Sequence, residues 1–246
     1  MVEDIPRRNK IILGAVGGAM LLLASISLTL GVADMFSIAA RQKITNWQYD
    51  RNIEKTSDWD IALGRQMWAV SMNPLHPGYM ADLGMILEWK ATSMPPWKEQ
   101  AMVYGKLAAE QYRKAIHARP SWSVGWIHLA KVKAYFNEFD AETFNAMQNA
   151  IILDPRRLDV RLTAISIGLA SWDIMPRESR ETLGTTIVKV IQNRADARVV
   201  FKMAVDMGRE DVLESLAPNK KAKEALSCLS RARKEGGNEE NCRFNF

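Results

Sequence analysis

The sequence predicts an all-α fold: one N-terminal transmembrane helix, then a stack of helical hairpins closed by a C-terminal helical cap. Three observations predict it. Ile11–Ala33 is a run of 23 residues without a charge. In the remainder Ala, Leu, Met, Glu, Lys and Arg dominate, and Val, Ile and Thr form no alternating runs, a mixture that favours helix over strand. Three prolines, Pro74, Pro120 and Pro155, each have an alanine five positions upstream.

A chain of 246 residues with 48% hydrophobic and 25% charged residues has a real core and room for one sizeable domain plus an accessory segment. Its net charge is +5, of which residues 1–33 carry three cations and two anions. A charge so small and so interspersed makes no concentrated basic face, so nucleic acid is excluded as a partner.

The charge-free run makes a helix of about 34 Å, enough to cross the hydrocarbon core. Arg7, Arg8 and Lys10 precede it and Asp34 is the first charge after it. By the positive-inside rule residues 1–10 form a cytoplasmic stub, 11–33 the span, and the rest lies outside a bacterial inner membrane, in the periplasm. A cleaved signal peptide, ending at Ser37-Ile38-Ala39, is the competing reading. The apolar region of such a peptide runs to only about 7–15 residues, which favours the uncleaved anchor. Gly14, Gly17 and Gly18 leave a smooth face on which another membrane helix can pack.

Residues 34–57 continue as an amphipathic connector, with Phe36, Ala39, Ala40, Ile44 and Trp47 near one face and the helix reaching Ile53. Ser57-Asp58 then offers a cap for the first repeat helix.

The repeats occupy 58–172. Ala69-x4-Pro74, Ala115-x4-Pro120 and Ala150-x4-Pro155 mark successive turns. Ala62 precedes Ala69 by seven, and Ala108 precedes Ala115 by seven with Tyr112 between. Downstream come Met80-x2-Leu83-Gly84-x2-Leu87 and Trp126-x2-Leu129-Ala130. Small residues at 84, 108, 115 and 130 let paired helices approach, and large ones at 80, 87, 112 and 126 fill the space left. Proline ends each helix because it has no N–H for the preceding turn. The spacing predicts a second helix over 108–118, a turn at 119–121, and a first helix over Ser123–Ala134 capped by Ser121 or Ser123. The interval from Ala69 to Ala115 is 46, so an insertion falls at about 88–100. A helix over Leu158–Ser171 ends the pattern, with Gly168 where an aromatic is expected.

These residues resemble the tetratricopeptide (TPR) repeat, a helix-turn-helix unit of about 34 residues. The resemblance covers about 59–172 and implies a TPR-like solenoid with a partner-binding groove. The wider layout of stub, span and compact repeat domain resembles the VpsP-type family encoded with bacterial exopolysaccharide machinery. That implies an accessory role in a polysaccharide synthesis or export assembly.

Residues 173–246 form the cap and tail. Short helices are predicted over Arg177–Arg194, Arg198–Met207, Asp211–Leu216 and Lys220–Lys234, with Ser179-Arg180-Glu181 able to start the first and Gly208 and Pro218 as separators. Gly236–Glu240 reads as a loop unless Cys242 is tied to Cys228. These two cysteines, 14 apart, close a loop worth about 3 kcal/mol in an oxidising compartment and remain ordinary thiols elsewhere.

Catalytic chemistry is sought without result. His117 and His128 sit on adjacent helices, but neither has Cys, Asp or Glu at i+3 or i+4 to complete a metal site. His76, the remaining histidine, has no motif around it, and no nucleophile elbow, phosphate loop or zinc-protease signature is present. No cofactor is expected. Asp58 and Asp60 suit a helix start, and Glu239-Glu240 lie in the tail. Trp59, Trp68, Trp126 and Trp172 are assigned to the core. Trp89 and Trp97 bracket the insertion, as a hydrophobic plug or as an exposed lip for a partner or a sugar ring. The expectation is therefore a non-catalytic, membrane-anchored scaffold that engages membrane proteins through its span and its groove. A periplasmic chaperone-like adaptor is the alternative, and nothing in the sequence supports a carbohydrate contact.

Overall fold

The computed structural model describes residues 7–50, 56–217, 219–242 and 244, with the side chains of 7–10 and 240 excepted. Among the described residues there are eleven α-helices, one 3-10 turn and no strand. The stub's first residues, Ile53 and Pro218 lie outside the described residues.

Helix α1 (Arg7–Asp50) is a single rod of 44 residues with no break where span and connector were expected to meet. It is the one described helix long and apolar enough to cross a membrane, and its window of highest hydropathy is wholly exposed. Its last third docks on the domain. Ala33, Ser37, Ala40, Ile44 and Trp47 are buried, spaced by four and three as in a heptad seam. Phe36 and Ala39, expected on this face, flank it half-buried.

Helix α2 (Thr56–Met72) runs antiparallel to α1. Lys43 pairs with Asp58 at 3.0 Å, and Ala33 packs with Ala69 and Tyr79. Ser57 and Asp58 lie inside its first turn rather than ahead of it. Helix α3 (Pro77–Thr92) returns parallel to α1. Its N-cap is His76, whose ring accepts from Tyr79 N at 3.2 Å. Asp82 Oδ2 takes two bonds from the Arg41 guanidinium, at 3.0 and 2.6 Å, the Tyr79 hydroxyl donates to Asp34, and Trp89 meets the Trp47 ring edge-on.

The expected insertion is not a separate segment. Helices α3 and α4 (Glu99–Ala118) are 16 and 20 residues long, against 13 and 14 in α5–α7, so most of the extra length is added helical turn and only 93–98 is loop. Helices α5 (Ser123–Tyr135), α6 (Ala141–Leu153) and α7 (Leu158–Ser171) follow. Each Ala-x4-Pro marks a turn: Ala69, Ala115 and Ala150 are fully buried and accept the closing N–H of Asn73, Arg119 and Asp154, while the prolines face solvent. No serine caps α5. Its N-cap is Trp122, and Ser123 is buried as the first helical residue.

The remaining helices are α8 (Arg177–Ile191), α9 (Arg194–Asp206), α10 (Glu210–Leu216) and α11 (Lys220–Glu235). Pro176, not Ser179, precedes α8, and Asn193 breaks the expected 177–194 helix by capping α9 through Ala195 N and Asp196 N. Cys228 and Cys242 are bonded. This tether turns the expected tail loop into a packed end. Phe244 is buried against Phe201, and Glu239 pairs with Lys202 at 2.6 Å.

Helices α3, α5, α7 and α9 contact one another in succession and make one row; α4, α6 and α8 lie behind it. The small residues work as their spacing implies. A Cβ on Gly84 would come within 2.7 Å of the Tyr112 ring, and one on Gly168 within 1.8 Å of Leu183 Cδ2. Leu83, Ala108, Tyr112, Leu129 and Ala130 are all buried between the rows.

Candidate functional site

The row α3–α5–α7–α9 encloses a groove of about 420 Å³. Its floor is apolar, with Val132, Phe139, Leu162, Ile167, Met203 and Met207 on it. Glu88, Thr92 and Lys131 line one end, and Tyr135, Asn137, Thr163 and Ser166 add polar groups. A concave, largely apolar surface with a few convergent polar groups is the usual form of a binding site.

The polar end is organised from behind. Glu88 is buried on α3, and Lys131 Nζ reaches its Oε1 at 2.8 Å. Tyr112 on α4 donates its hydroxyl to Glu88 Oε2 at 2.5 Å, and His128 Nδ1 stands 2.9 Å from the same oxygen. The Tyr112 and His128 rings stack 5.4 Å apart. Burial by itself would raise the Glu88 pKa, but Lys131 and His128 outweigh it and hold the carboxyl well below the usual range. Burial, reinforced by Glu88, pushes the Tyr112 phenol well up, so it stays a neutral donor. Coulombic attraction to Glu88 raises Lys131. The Lys131 side chain is half exposed, so an ammonium with N–H donors to spare faces the groove. The arrangement fixes a cation beside an apolar trough, which suits recognition of a carbonyl or carboxylate next to a hydrophobic side chain.

The residues singled out in the sequence are distributed unevenly around this site. Tyr112 and His128 belong to it, and Leu83, Gly84 and Ala130 pack behind it. Trp126 is half-buried and clamps the turn, its indole donating to Pro120 O at 2.7 Å, instead of filling the core. Trp59 is core as expected, Trp172 is half-buried, and Trp68 is 61% exposed, contrary to its core assignment. Trp89 is no lip, since it packs against Trp47. Trp97 stands alone at 81% exposure. His117 is exposed, while His128 is engaged by Glu88 and Tyr112. Gly14, Gly17 and Gly18 line an open face where an added Cβ would meet nothing. Glu88 and Lys131 were missed. Glu88 falls at the edge of the presumed insertion, 40 residues from His128, and the local signal, an acidic residue after the apolar run Met85-Ile86-Leu87, is weak.

A second polar cluster clips α4, α5 and α6 together. Lys133 Nζ bonds Asp140 and Glu142 at 2.8 and 2.7 Å, and Arg113 takes Glu142 through two bonds. Arg113 holds the Glu142 carboxyl down at about 2. The cluster's bonds tie the three helices to one another. No protein-family model, curated protein or solved structure matches the chain.

Proposed function

We propose that the protein is a non-catalytic, membrane-anchored scaffold whose TPR-like helical solenoid holds a segment of a membrane partner in the α3–α5–α7–α9 groove. The observation that carries this reading is the groove itself: an apolar trough with one fixed cation, in a domain joined to the span by an unbroken helix. The partner segment places an apolar side chain over Ile167, Met203 and Met207 and a carbonyl or carboxylate on Lys131. The open Gly14–Gly17–Gly18 face offers the partner's own span a place to pack.

Two features support an inner-membrane anchor with the domain on the periplasmic side. Arg7, Arg8 and Lys10 precede the span, and the Cys228–Cys242 bond suits an oxidising compartment. The assignment to polysaccharide synthesis or export rests on the resemblance of the sequence layout to that of VpsP-type proteins.

A photo-crosslinking amino acid at Ser166, incorporated in intact cells, tests the reading. One stoichiometric membrane protein should be captured, with yield falling at least tenfold when Ala170→Trp fills the trough and unchanged when Trp97→Ala is made. A broad range of secreted proteins instead returns the chaperone-like alternative. Capture insensitive to Ala170→Trp overturns the groove as the docking site.

A further inference from the structure

The stretch 66–81 holds sixteen residues without Asp, Glu, Lys or Arg, and most of it is not core. Leu75 is 79% exposed, and Trp68 and Met67 in the same stretch are exposed as well. The unbroken α1 rod fixes where this stretch sits. Ala69 packs with Ala33, and Tyr79 bonds Asp34, the first charge after the apolar run. Helix α2 continues past Ala69 to Met72, about 4.5 Å further toward the N-terminal end of α1. The turn 73–76 is therefore level with about residues 29–31, inside the charge-free run. That run measures about 34 Å against a hydrocarbon core of about 30 Å, so its last residues lie where acyl chains give way to headgroups.

We propose that the α2–α3 turn is a second membrane contact, with Leu75 at its tip inserted at the headgroup–acyl boundary and Trp68 and Met67 lying along it. The inference rests on the reading of 11–33 as a transmembrane helix. Three observations on the page point to lipid as the occupant. The turn is held at the bilayer's depth by contacts to α1, the stretch itself carries no charged side chain while the nearby charges Asp34, Arg41 and Asp82 are bonded to Tyr79 or to each other, and an exposed tryptophan at this level is what interfaces favour. Trp97 provides the internal contrast: it is more exposed than Trp68, but the length of α3 places it about 24 Å farther along. Two contacts, span and turn, hold the domain against rocking about the point where α1 leaves the membrane.

The test uses the full chain in nanodiscs of phosphatidylethanolamine and phosphatidylglycerol. Leu75→Cys and Trp97→Cys are each labelled with an environment-sensitive fluorophore; the native cysteines are bonded and do not compete. The label at 75 should emit to the blue of the label at 97, be quenched by lipid carrying a shallow spin label, and resist aqueous iodide at least fivefold better. Equal iodide access at both positions, in a chain that resists carbonate extraction, overturns the insertion and leaves the span intact. A label at 75 shielded from iodide but untouched by spin-labelled lipid overturns it in favour of a protein cover. A chain that carbonate extracts removes the span and the insertion together.

Discussion

Replacing Glu88 by alanine tests how the groove's polar end is held. Three partners lose their acceptor, and they lose different amounts. Lys131 is half exposed and rehydrates, so its share is small. Tyr112 is fully buried and is left with only His128 Nδ1 at 3.4 Å. An unsatisfied buried hydroxyl costs about 1–3 kcal/mol, and the truncated stem leaves a cavity worth about 1 kcal/mol more. The sum is about 2–4 kcal/mol, or a fall in Tm of about 4–16 °C at this chain length, read by circular dichroism of the reconstituted chain. Tyr112→Phe removes the orphaned phenol, so the double variant should be milder than the sum by about 1–3 kcal/mol. Glu88→Gln adds a pH test. The Glu88 carboxyl is depressed in the folded state, so its contribution is complete above the ordinary Glu value of about 4.3 and is lost as pH falls below it. The wild type should lose more stability than Glu88→Gln between pH 5 and 3, by up to about 1.4 kcal/mol per pH unit below 4.3. The other depressed carboxyls, such as Glu142, are common to both proteins and cancel in the difference. A cost below about 0.5 kcal/mol for Glu88→Ala, or parallel acid limbs, refutes the cluster as described.

Ala115 has no exposed surface and packs with Met80 and Ala81, so Ala115→Trp should leave the chain unfolded by far-UV circular dichroism; an unchanged melt removes the close helix joint. Gly168→Ala drives a methyl to 1.8 Å from the buried Leu183 and should cost about 1–3 kcal/mol in denaturant unfolding. Cys242→Ser should cost about 3 kcal/mol and raise hydrogen exchange in α9 and α11, where Phe244 is lost from its place against Phe201. Trp97→Ala should change stability by less than about 0.5 kcal/mol, and a larger loss makes Trp97 a packing residue.

The joints were legible because their signal is local. An alanine and a proline five apart report one helix end, and a small residue opposite a large one reports one close approach, as at Gly84 and Tyr112. Partnership across the fold leaves no such trace. Glu88, His128 and Lys131 become one cluster only once α3 and α5 lie side by side, so neither the carboxylate nor the lysine drew notice. Tryptophan misled for the same reason. Trp59 and Trp68 are nine apart on one helix and differ only in the face they occupy. Trp89 lies off the repeat spacing, yet is covered because α1 brings Trp47 to it. The arithmetic of the period pointed to extra residues at about 88–100, but period alone does not distinguish a loop from the longer helices α3 and α4 found there.

In the proposed scaffold the rod α1 also sets how far a partner must reach. Tyr79 stands at residue 34 of α1 and Trp89 at residue 47, so α3 climbs away from the apolar run alongside it. Glu88, one residue before Trp89, therefore lies about 20 Å above the end of the apolar run. A segment that leaves the bilayer beside the span and lays its carbonyl or carboxylate on Lys131 must cover that height, which takes about 13 residues of helix or six of extended chain. A partner anchored by a short stalk meets this requirement because both ends are tied to one membrane, and the effective concentration of its segment at the groove is then high without strong contacts. On the proposed reading a groove of modest volume with a single fixed cation is then enough, and the unbroken helix between span and domain serves binding as much as the trough itself.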